Sequence, residues 1–408
     1  MHILYLHQYF VTRSGIGGTR SYEFARRMVA EGHRVTMVTA ADPRVPWRGL
    51  LSRRHEINGI EVVEVRGGYT DYVGGTARGY VSRALAFASF AVTSSIAVLS
   101  LPRPDVVFAT STPLTIGLPG VVASRWHRRS MVFEVRDLWP EAPIQLGALR
   151  NPLFRWAARR LESFIYARSK HVVALSPGMR DGVVAAGVPE DRVTVIPNAS
   201  DLDLFYPERD GADFRQRLGL DGKFVCTYFG AMGEANDLIP VLQAAKLLQE
   251  RGEDDIAVVL HGNGKRRADL ERWVRDNDLS NVVFSTQVPD KDAVASLVAA
   301  SDVGMTIYKN VPVLYTCSPN KLFDTFAAGR PAIVNTPGWL QSLVEDNEAG
   351  VYAPPDDPEA LAERMTYLRD HPDVVERYGR NARALAEREF DRTLLAHRLI
   401  AVLDEATR

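Results

Sequence analysis

The chain of 408 residues has only two cysteines, Cys226 and Cys317, far apart and too few for a disulfide framework. No paired metal-ligand spacing accompanies them, so neither a zinc-type site nor any other metal is expected. A reducing compartment, the cytoplasm, suits such a chain best. A basic leader is missing as well. Met1-His2-Ile3-Leu4-Tyr5-Leu6 reads as a buried strand from the outset, so no secretory signal is expected. Low-complexity tracts and short internal repeats are absent. What remains is ordinary for a globular protein, 46% apolar and 24% charged, at a length natural for two α/β domains.

Long hydrophobic runs are scarce too. The most apolar stretch is 80–101, which includes Ala84-Leu85-Ala86-Phe87-Ala88-Ser89-Phe90-Ala91-Val92. It is nearly long enough to span a bilayer, but Ser89, Thr93, Ser94 and Ser95 lower its hydrophobicity, and Arg78 and Arg83 flank it. Two readings stay open: a core helix, or a helix lying in a membrane surface. The net charge of −1 conceals an asymmetry. Residues 1–200 hold 25 Lys and Arg against 15 Asp and Glu, leaving 24 against 35 for the rest. The basic half suits an anionic acceptor or a membrane surface, or is a solvated arginine-rich exterior.

Strand-like and helix-like periods alternate along both halves. Strands are expected at 2–7, 34–39, 60–65, 105–109, 131–135, 171–175 and 193–196, with an amphipathic helix over 18–31 that Gly32 stops. After the turn-rich Ile196-Pro197-Asn198-Ala199-Ser200-Asp201 the pattern restarts. Strands are expected at 224–229, 256–260, 282–284, 303–307 and 332–335, and helices at 238–250, 266–276, 291–299 and 321–328. This alternation implies two doubly wound parallel sheets, with ligands at the carboxyl ends of strands in the cleft between them.

Several segments carry candidate chemistry. Ser14-Gly15-Ile16-Gly17-Gly18-Thr19-Arg20 lies between a strand and a helix, where glycines let backbone N–H groups approach a phosphate. Arg20 stands where a dinucleotide fingerprint needs a third glycine, which disfavours a nicotinamide oxidoreductase. In Ser318-Pro319-Asn320-Lys321-Leu322-Phe323-Asp324, Ser318 is expected to cap a helix with Pro319 at its first position. Lys321 then offers an ammonium for a diphosphate, and Asp324 an acceptor for ribose hydroxyls. A plain capped helix with a surface Lys–Asp pair is the other reading. His261-Gly262-Asn263-Gly264-Lys265 and Phe229-Gly230-Ala231-Met232-Gly233-Glu234-Ala235-Asn236 are further glycine turns at strand ends. Arg136-Asp137 precedes Leu138-Trp139-Pro140-Glu141 at a strand tip, as a charge against acceptor or leaving phosphate or as a structural pair. Asp201-Leu202-Asp203 has the spacing of a metal-binding carboxylate pair but falls in the linker, where turn chemistry explains it.

Taken together these residues resemble the GT-B glycosyltransferases of family four, over nearly the whole chain. Gly17-Gly18 through Gly32-His33-Arg34-Val35 is similar to the family's N-terminal loop, helix and strand start. Val195-Ile196-Pro197-Asn198-Ala199-Ser200-Asp201-Leu202 resembles its hinge, and Ala328-Gly329-Arg330-Pro331 its C-terminal "AxGxPV" element. His7-Gln8-Tyr9-Phe10, Arg136–Glu141 and Ser318–Phe323 look most like the fucosamine-transferase-like branch. The resemblance implies two Rossmann-like domains facing a cleft, with acceptor binding by the first and donor binding mostly by the second. It also implies retention of anomeric configuration without a metal. Ala231 and Asn236 replace a family Arg and Lys, so Lys265 and Lys321 are expected to neutralise the diphosphate. The family's paired glutamates fall on Thr316 and Asp324, and its His-Asp reads Arg136-Asp137.

The expectations are therefore these. Residues 1–198 form an acceptor-side domain, 199–385 a nucleotide-sugar domain, and 386–408 a helix crossing back. Arg136 and Asp137 are the catalytic candidates. Gly17, Gly18, Asn236, Lys265, Ser318, Pro319, Asn320, Lys321 and Asp324 are expected on the donor. His7, Arg20, Glu141 and Thr316 are expected on the acceptor or sugar side. The donor is a UDP- or GDP-linked sugar, no cofactor beyond it is needed, and the acceptor is a small molecule or lipid-linked. No nucleic acid is expected as a partner; peripheral membrane contact would run through 80–101. A sugar-nucleotide epimerase of the same architecture and a non-catalytic nucleotide-sugar-binding protein are the alternatives.

Overall fold

Apolar runs bounded by polar turns become strands buried on both faces, and the amphipathic stretches between them become the helices that cover those faces. The computed structural model describes residues 1–15, 17–42, 52–67, 80–285 and 290–408. Its first half runs β1 (His2–Leu6), α1 (Arg20–Ala30), β2 (Arg34–Ala40), β3 (Ser52–Ile57), β4 (Ile60–Val65), α2 (Tyr80–Val98) and β5 (Val106–Thr110). It continues through α3 (Gly117–His127), β6 (Met131–Val135), α4 (Glu141–Gln145), α5 (Pro152–Arg168), β7 (His171–Ala174), α6 (Pro177–Ala185) and β8 (Val193–Val195). The strands form a sheet ordered β3-β4-β2-β1-β5-β6-β7-β8, parallel except for the β3–β4 hairpin.

The second half runs α7 (Ala212–Leu218), β9 (Phe224–Phe229), α8 (Ile239–Glu250), β10 (Ile256–His261), α9 (Arg267–Asp276), β11 (Val282–Ser285) and α10 (Lys291–Ala299). Then follow β12 (Val303–Thr306), α11 (Asn320–Ala327), β13 (Ala332–Val334), α12 (Trp339–Glu345), β14 (Gly350–Tyr352), α13 (Pro358–Asp370), α14 (Pro372–Glu389) and α15 (Arg392–Thr407). The second sheet is ordered β11-β10-β9-β12-β13-β14 and is parallel throughout. The expected doubly wound α/β architecture is what the chain adopts. Two strands escaped the periodicity. The hairpin strand Ser52-Arg53-Arg54-His55-Glu56-Ile57 is charged because it lies at a sheet edge, and β14 is three residues long.

One face of the first sheet packs against α2, α3, α5 and α6 through residues such as Phe90, Val121, Ile165 and Val183. The other face takes α1 and, from the far end of the chain, α15. The chain returns at Phe390–Arg392, and Leu395, Leu399 and Leu403 of α15 pack with Ile3, Tyr5 and Phe108. Helix α2 buries Phe90, Ala91, Ser94, Ala97 and Val98, so one of its faces is core. Among the described residues no helix is long and apolar enough to cross a membrane. Arg78 and the side chain of Arg83 lie outside what is described.

A fully buried guanidinium ties the N-terminal elements to the linker. Arg20, the first residue of α1, donates from Nη2 and Nε to Glu134 Oε1 at 2.8 and 3.1 Å. It donates further to the carbonyls of Pro197 at 2.5 Å and Ile196 at 2.9 Å, and stacks over Phe24. Thr110 satisfies the other Glu134 oxygen at 2.5 Å. Removing one partner leaves an uncompensated buried charge. Arg20→Met should therefore cost about 3–5 kcal/mol in denaturant unfolding, with Arg20→Met/Glu134→Leu recovering most of it. Equal stability of Arg20→Met and wild type would contradict the lock.

Candidate functional site

In each sheet the strand order reverses beside its first strand, between β1 and β5 and between β9 and β12. Crevices at the carboxyl ends of strands bind ligands at such switch points. The chain fills the two crevices with complementary groups.

On the N-terminal side, β1 ends at Leu6 and is followed by His7, 3% exposed. Its Nε2 accepts from Arg136 Nη1 at 3.1 Å, while Nδ1 finds no hydrogen-bond partner among the described residues. Burial first, and then the Arg136 charge, push its pKa well below the usual histidine value, so the ring is neutral. Arg136 follows β6, and its backbone N–H donates to Ser111 Oγ at 2.9 Å beyond β5. Asp137 Oδ2 accepts from Thr112 at 2.7 Å, and burial raises its carboxyl above the ordinary range. The glycine loop closes this wall. A Cβ on Gly18 would stand 3.3 Å from Arg136 Nη2 and 3.9 Å from Asn320 Nδ2, so the loop runs close against side chains of both domains.

On the C-terminal side, Lys321 in the first turn of α11 crosses the end of β9. Its ammonium lies 3.8 Å over the ring of Tyr228 and 5.9 Å from that of Tyr308. A Cβ on Gly230, which has φ +137°, would come within 3.2 Å of that ammonium. No carboxylate among the described residues pairs with Lys321, and burial pushes its pKa down to about 7. Ring faces hold the cation in place of an acid. The glycine turns at 230 and 262 lie side by side, with Gly230 N donating to His261 O and Met232 N to Asn263 O, both at 2.9 Å. Asp137 reaches across the seam: after burial, its charge helps raise the Cys317 thiol, and it also raises the Tyr308 hydroxyl.

The structure thus brings His7, Gly18, Arg136, Asp137, Asn320 and Lys321 to one seam and assigns other expected residues elsewhere. Arg20 is no acceptor-side residue, because the buried lock consumes its donors. Ser318 does not cap α11. Pro319 occupies the cap position without a side-chain bond, and Ser318 Oγ accepts from Asn198 N at 3.0 Å. Asn198 Nδ2 also donates to Ser318 O at 2.5 Å, so the hinge holds the start of α11. Asp324 is 4% exposed and accepts from Ser200 at 2.7 Å with Lys291 at 3.8 Å, which leaves no open face for a ribose. Thr316 spends its hydroxyl on Val313 O and its carbonyl on Ser176 Oγ, sealing the domains together. Lys265 is 71% exposed and sits 4.0 Å from Glu234. Glu141 opens α4, where it accepts from Gln145 and faces Arg159 at 3.5 Å. Asn236 lines a shallow cup with Gly233, Glu234, Arg266 and Lys309, and the Gly17 backbone has φ +143°.

Sequence reasoning missed Tyr228, Tyr308, Ser111 and Thr112. Tyr228 reads as one more core residue of β9, and only the fold puts its ring under Lys321. The linker carboxylate Asp201 also proved more than a turn residue. It faces Arg27 at 2.9 Å, Arg392 at 3.1 Å and Arg13 at 3.6 Å. Burial opposes its charge, but Arg392, Lys291, Arg27 and Arg13 hold its carboxyl well below the usual range.

Comparison with known proteins bears on this geometry. Residues 17–199 match the model of the glycosyl transferase 4-like domain, and residues 223–371 that of the glycosyl transferases group 1. The alpha-D-kanosaminyltransferase of Streptomyces kanamyceticus is 24% identical over 62% of this chain and 64% of its own length. The D-inositol 3-phosphate glycosyltransferase of Thermomonospora curvata is 30% identical over 48% of each chain. The chain thus spans about half to two thirds of the length of these curated relatives. Among solved structures, the sucrose-phosphate synthase of Thermosynechococcus elongatus superposes with TM-score 0.76 at 19% identity, covering 99% of this chain and 98% of that one. Anabaena Alr3699/HepE in complex with UDP-glucose gives 0.74 at 18%, covering 99% and 100%. With both halves matched by family models in the order the two sheets dictate, the chain belongs to the GT-B glycosyltransferases of family four.

Proposed function

We propose that the protein is a retaining, metal-independent glycosyltransferase that moves a sugar from a UDP- or GDP-linked donor to an acceptor in glycan or glycoside biosynthesis. It acts in the cytoplasm on a small or lipid-linked acceptor, and its branch of the family is the fucosamine-transferase-like one. The observation that carries the reading is the Lys321 ammonium. It has no carboxylate partner among the described residues, stands at a helix N-terminus beside a glycine turn, and faces the wall of Gly18 and Arg136. A diphosphate supplies the missing anion. Solved structures of similar fold hold UDP-glucose and UDP, and the relatives are named as sugar transferases.

The chemistry then follows. The bond between the sugar's anomeric carbon and the diphosphate oxygen breaks, and charge accumulates on the leaving phosphate. Lys321 and Arg136 meet that charge from opposite sides, and this stabilisation is the protein's main contribution to the rate. The neutral His7 ring, accepting from Arg136, holds the guanidinium in place. The acceptor oxygen attacks the anomeric carbon from the face the phosphate leaves, and its proton passes to the departing phosphate oxygen. Asp137, anchored by Thr112, orients the acceptor hydroxyl. No protein nucleophile and no cofactor beyond the donor enters this route.

Lys321→Ala should weaken nucleoside diphosphate binding by about 1.5–3 kcal/mol in calorimetry. The pH dependence carries a sign. In the free protein Lys321 has a pKa of about 7, and a bound diphosphate raises it. Binding above that pH must then take up a proton. Donor affinity should be flat below about pH 7 and fall by up to about tenfold per unit above it, and Lys321→Ala should flatten the curve. Arg136→Ala should lower kcat by about 10²–10³ with donor affinity changed far less. Release of nucleoside diphosphate from a panel of donors, with NMR of the product's anomeric proton, tests the whole reading. Retention without added divalent cation supports it; inversion, or strict dependence on such a cation, rejects it.

A further inference from the structure

Helix α5 is built unlike the other helices that cover the first sheet. Of its 17 residues only Ile165 and Tyr166, near the carboxyl end, are buried. The preceding three turns carry Leu153, Phe154 and Trp156 at 64, 61 and 61% exposure, and Phe164 is 38% exposed. Three large apolar side chains held in water on one helix end have no role in the core or in the donor cleft. Along the same helix stand Arg155, Arg159, Arg160 and Arg168, with Glu162 the single acid. Arg160 and Arg168 lie over the rings of Trp156 and Phe164 at 6.0 and 5.1 Å, so cation and ring are presented together. Burial raises the Glu162 carboxyl to about 7, which trims even that negative charge.

The surroundings continue the pattern. Helices α2, α3 and α5 share one layer, since all three pack into the same core on the same face of the first sheet. The outer side of α2 exposes Leu85, Val92 and Ile96 at helical spacing without a charge among them, and the last turn of α3 carries Trp126, 61% exposed, next to Arg125 and two residues before Arg128. Aromatic and aliphatic groups with arginines around them match the chemistry of a bilayer interface, where rings enter the headgroup zone and guanidinium groups meet anionic lipid. A self-association surface would need acids to meet those arginines, and α2, α3 and α5 offer Glu162 alone, the Glu141 of α4 and the Asp181 of α6 being already matched by Arg159 and Arg180.

We propose that this layer, led by the Leu153–Trp156 turn of α5, docks the protein peripherally on an anionic membrane surface. The contact expected through 80–101 becomes secondary: the outer stripe of α2 supplies apolar area, and α5 supplies the insertion and the charge. The surface is separate from the donor site, so the proposal does not depend on the transferase reading.

The test is flotation of the full chain with vesicles of phosphatidylcholine alone or with about one third phosphatidylglycerol. Binding is expected to the anionic vesicles only, and to weaken as salt rises. Trp156→Ser and Phe154→Ser should each lower partitioning about tenfold. Arg160→Glu and Arg168→Glu should each lower it at least about fivefold, the equivalent of roughly 1 kcal/mol per arginine at an anionic surface. Circular dichroism and thermal unfolding, measured on the same variants, report that they are folded. Absence of binding to anionic vesicles overturns the proposal, as does binding that the α5 variants leave intact. A concentration-dependent dimer that Trp156→Ser dissolves, without vesicle binding, assigns the surface to a second copy instead.

Discussion

Burying the Arg20 guanidinium imposes a geometry that the functional elements inherit. A cation with no access to water must be met on every N–H, and here Glu134 and the carbonyls of Ile196 and Pro197 meet it. Arg20 follows the glycine loop by two residues, so its position fixes Gly18. Glu134 precedes Arg136 by two residues, so the same pair fixes the guanidinium proposed to face the leaving phosphate. Pro197 adjoins Asn198, which holds Ser318 and with it the first turn of α11, where Lys321 sits. One buried ion pair thus sets three walls of the cleft that come from distant parts of the chain.

A second cluster of charge secures the hinge behind the cleft. Asp201 gathers Arg13, Arg27 and Arg392, and Glu23 gathers Arg13, Arg26 and Arg27. Arg392 opens the helix that returns to the first domain, so the crossing chain is pinned where it passes the linker. Asp324 joins from the C-terminal side through Ser200 and Lys291. The carboxylates around the hinge are spent on holding two domains in register, whereas the seam carries the cations Arg136 and Lys321 with Asp137 as the carboxylate beside them. That division suits the diphosphate of the proposed donor, whose charge would arrive as the missing counter-ion of Lys321.

How much of this the sequence discloses depends on the length scale of the interaction. Strand and helix alternation is local, so both sheets were legible, apart from the charged edge strand Ser52–Ile57 and the very short Gly350–Tyr352. Lys321 at a helix start and Arg136-Asp137 at a strand tip were legible for the same reason, since each is defined by its own neighbours. What could not be read were partners more than a hundred residues away. Ser318 has the residue type of a cap, yet Asn198 takes it. Arg20 and Asp324 have the residue types of ligand contacts, yet Glu134 and Ser200 take them. Tyr228 has the pattern of a core strand, and its place beneath Lys321 follows only from where the fold sets the first turn of α11 against the end of that strand.

The Lys321 ammonium, resting on rings where an acid would be usual, is the centre of the proposed donor site. A crystal structure of the protein with a bound nucleoside diphosphate-sugar tests that role most directly. The expected result puts the diphosphate oxygens within hydrogen-bond distance of Lys321 Nζ and the first N–H groups of α11, with Arg136 on the opposite side. A diphosphate held instead at Lys265, with Lys321 still resting on the Tyr228 ring and out of reach, would contradict it.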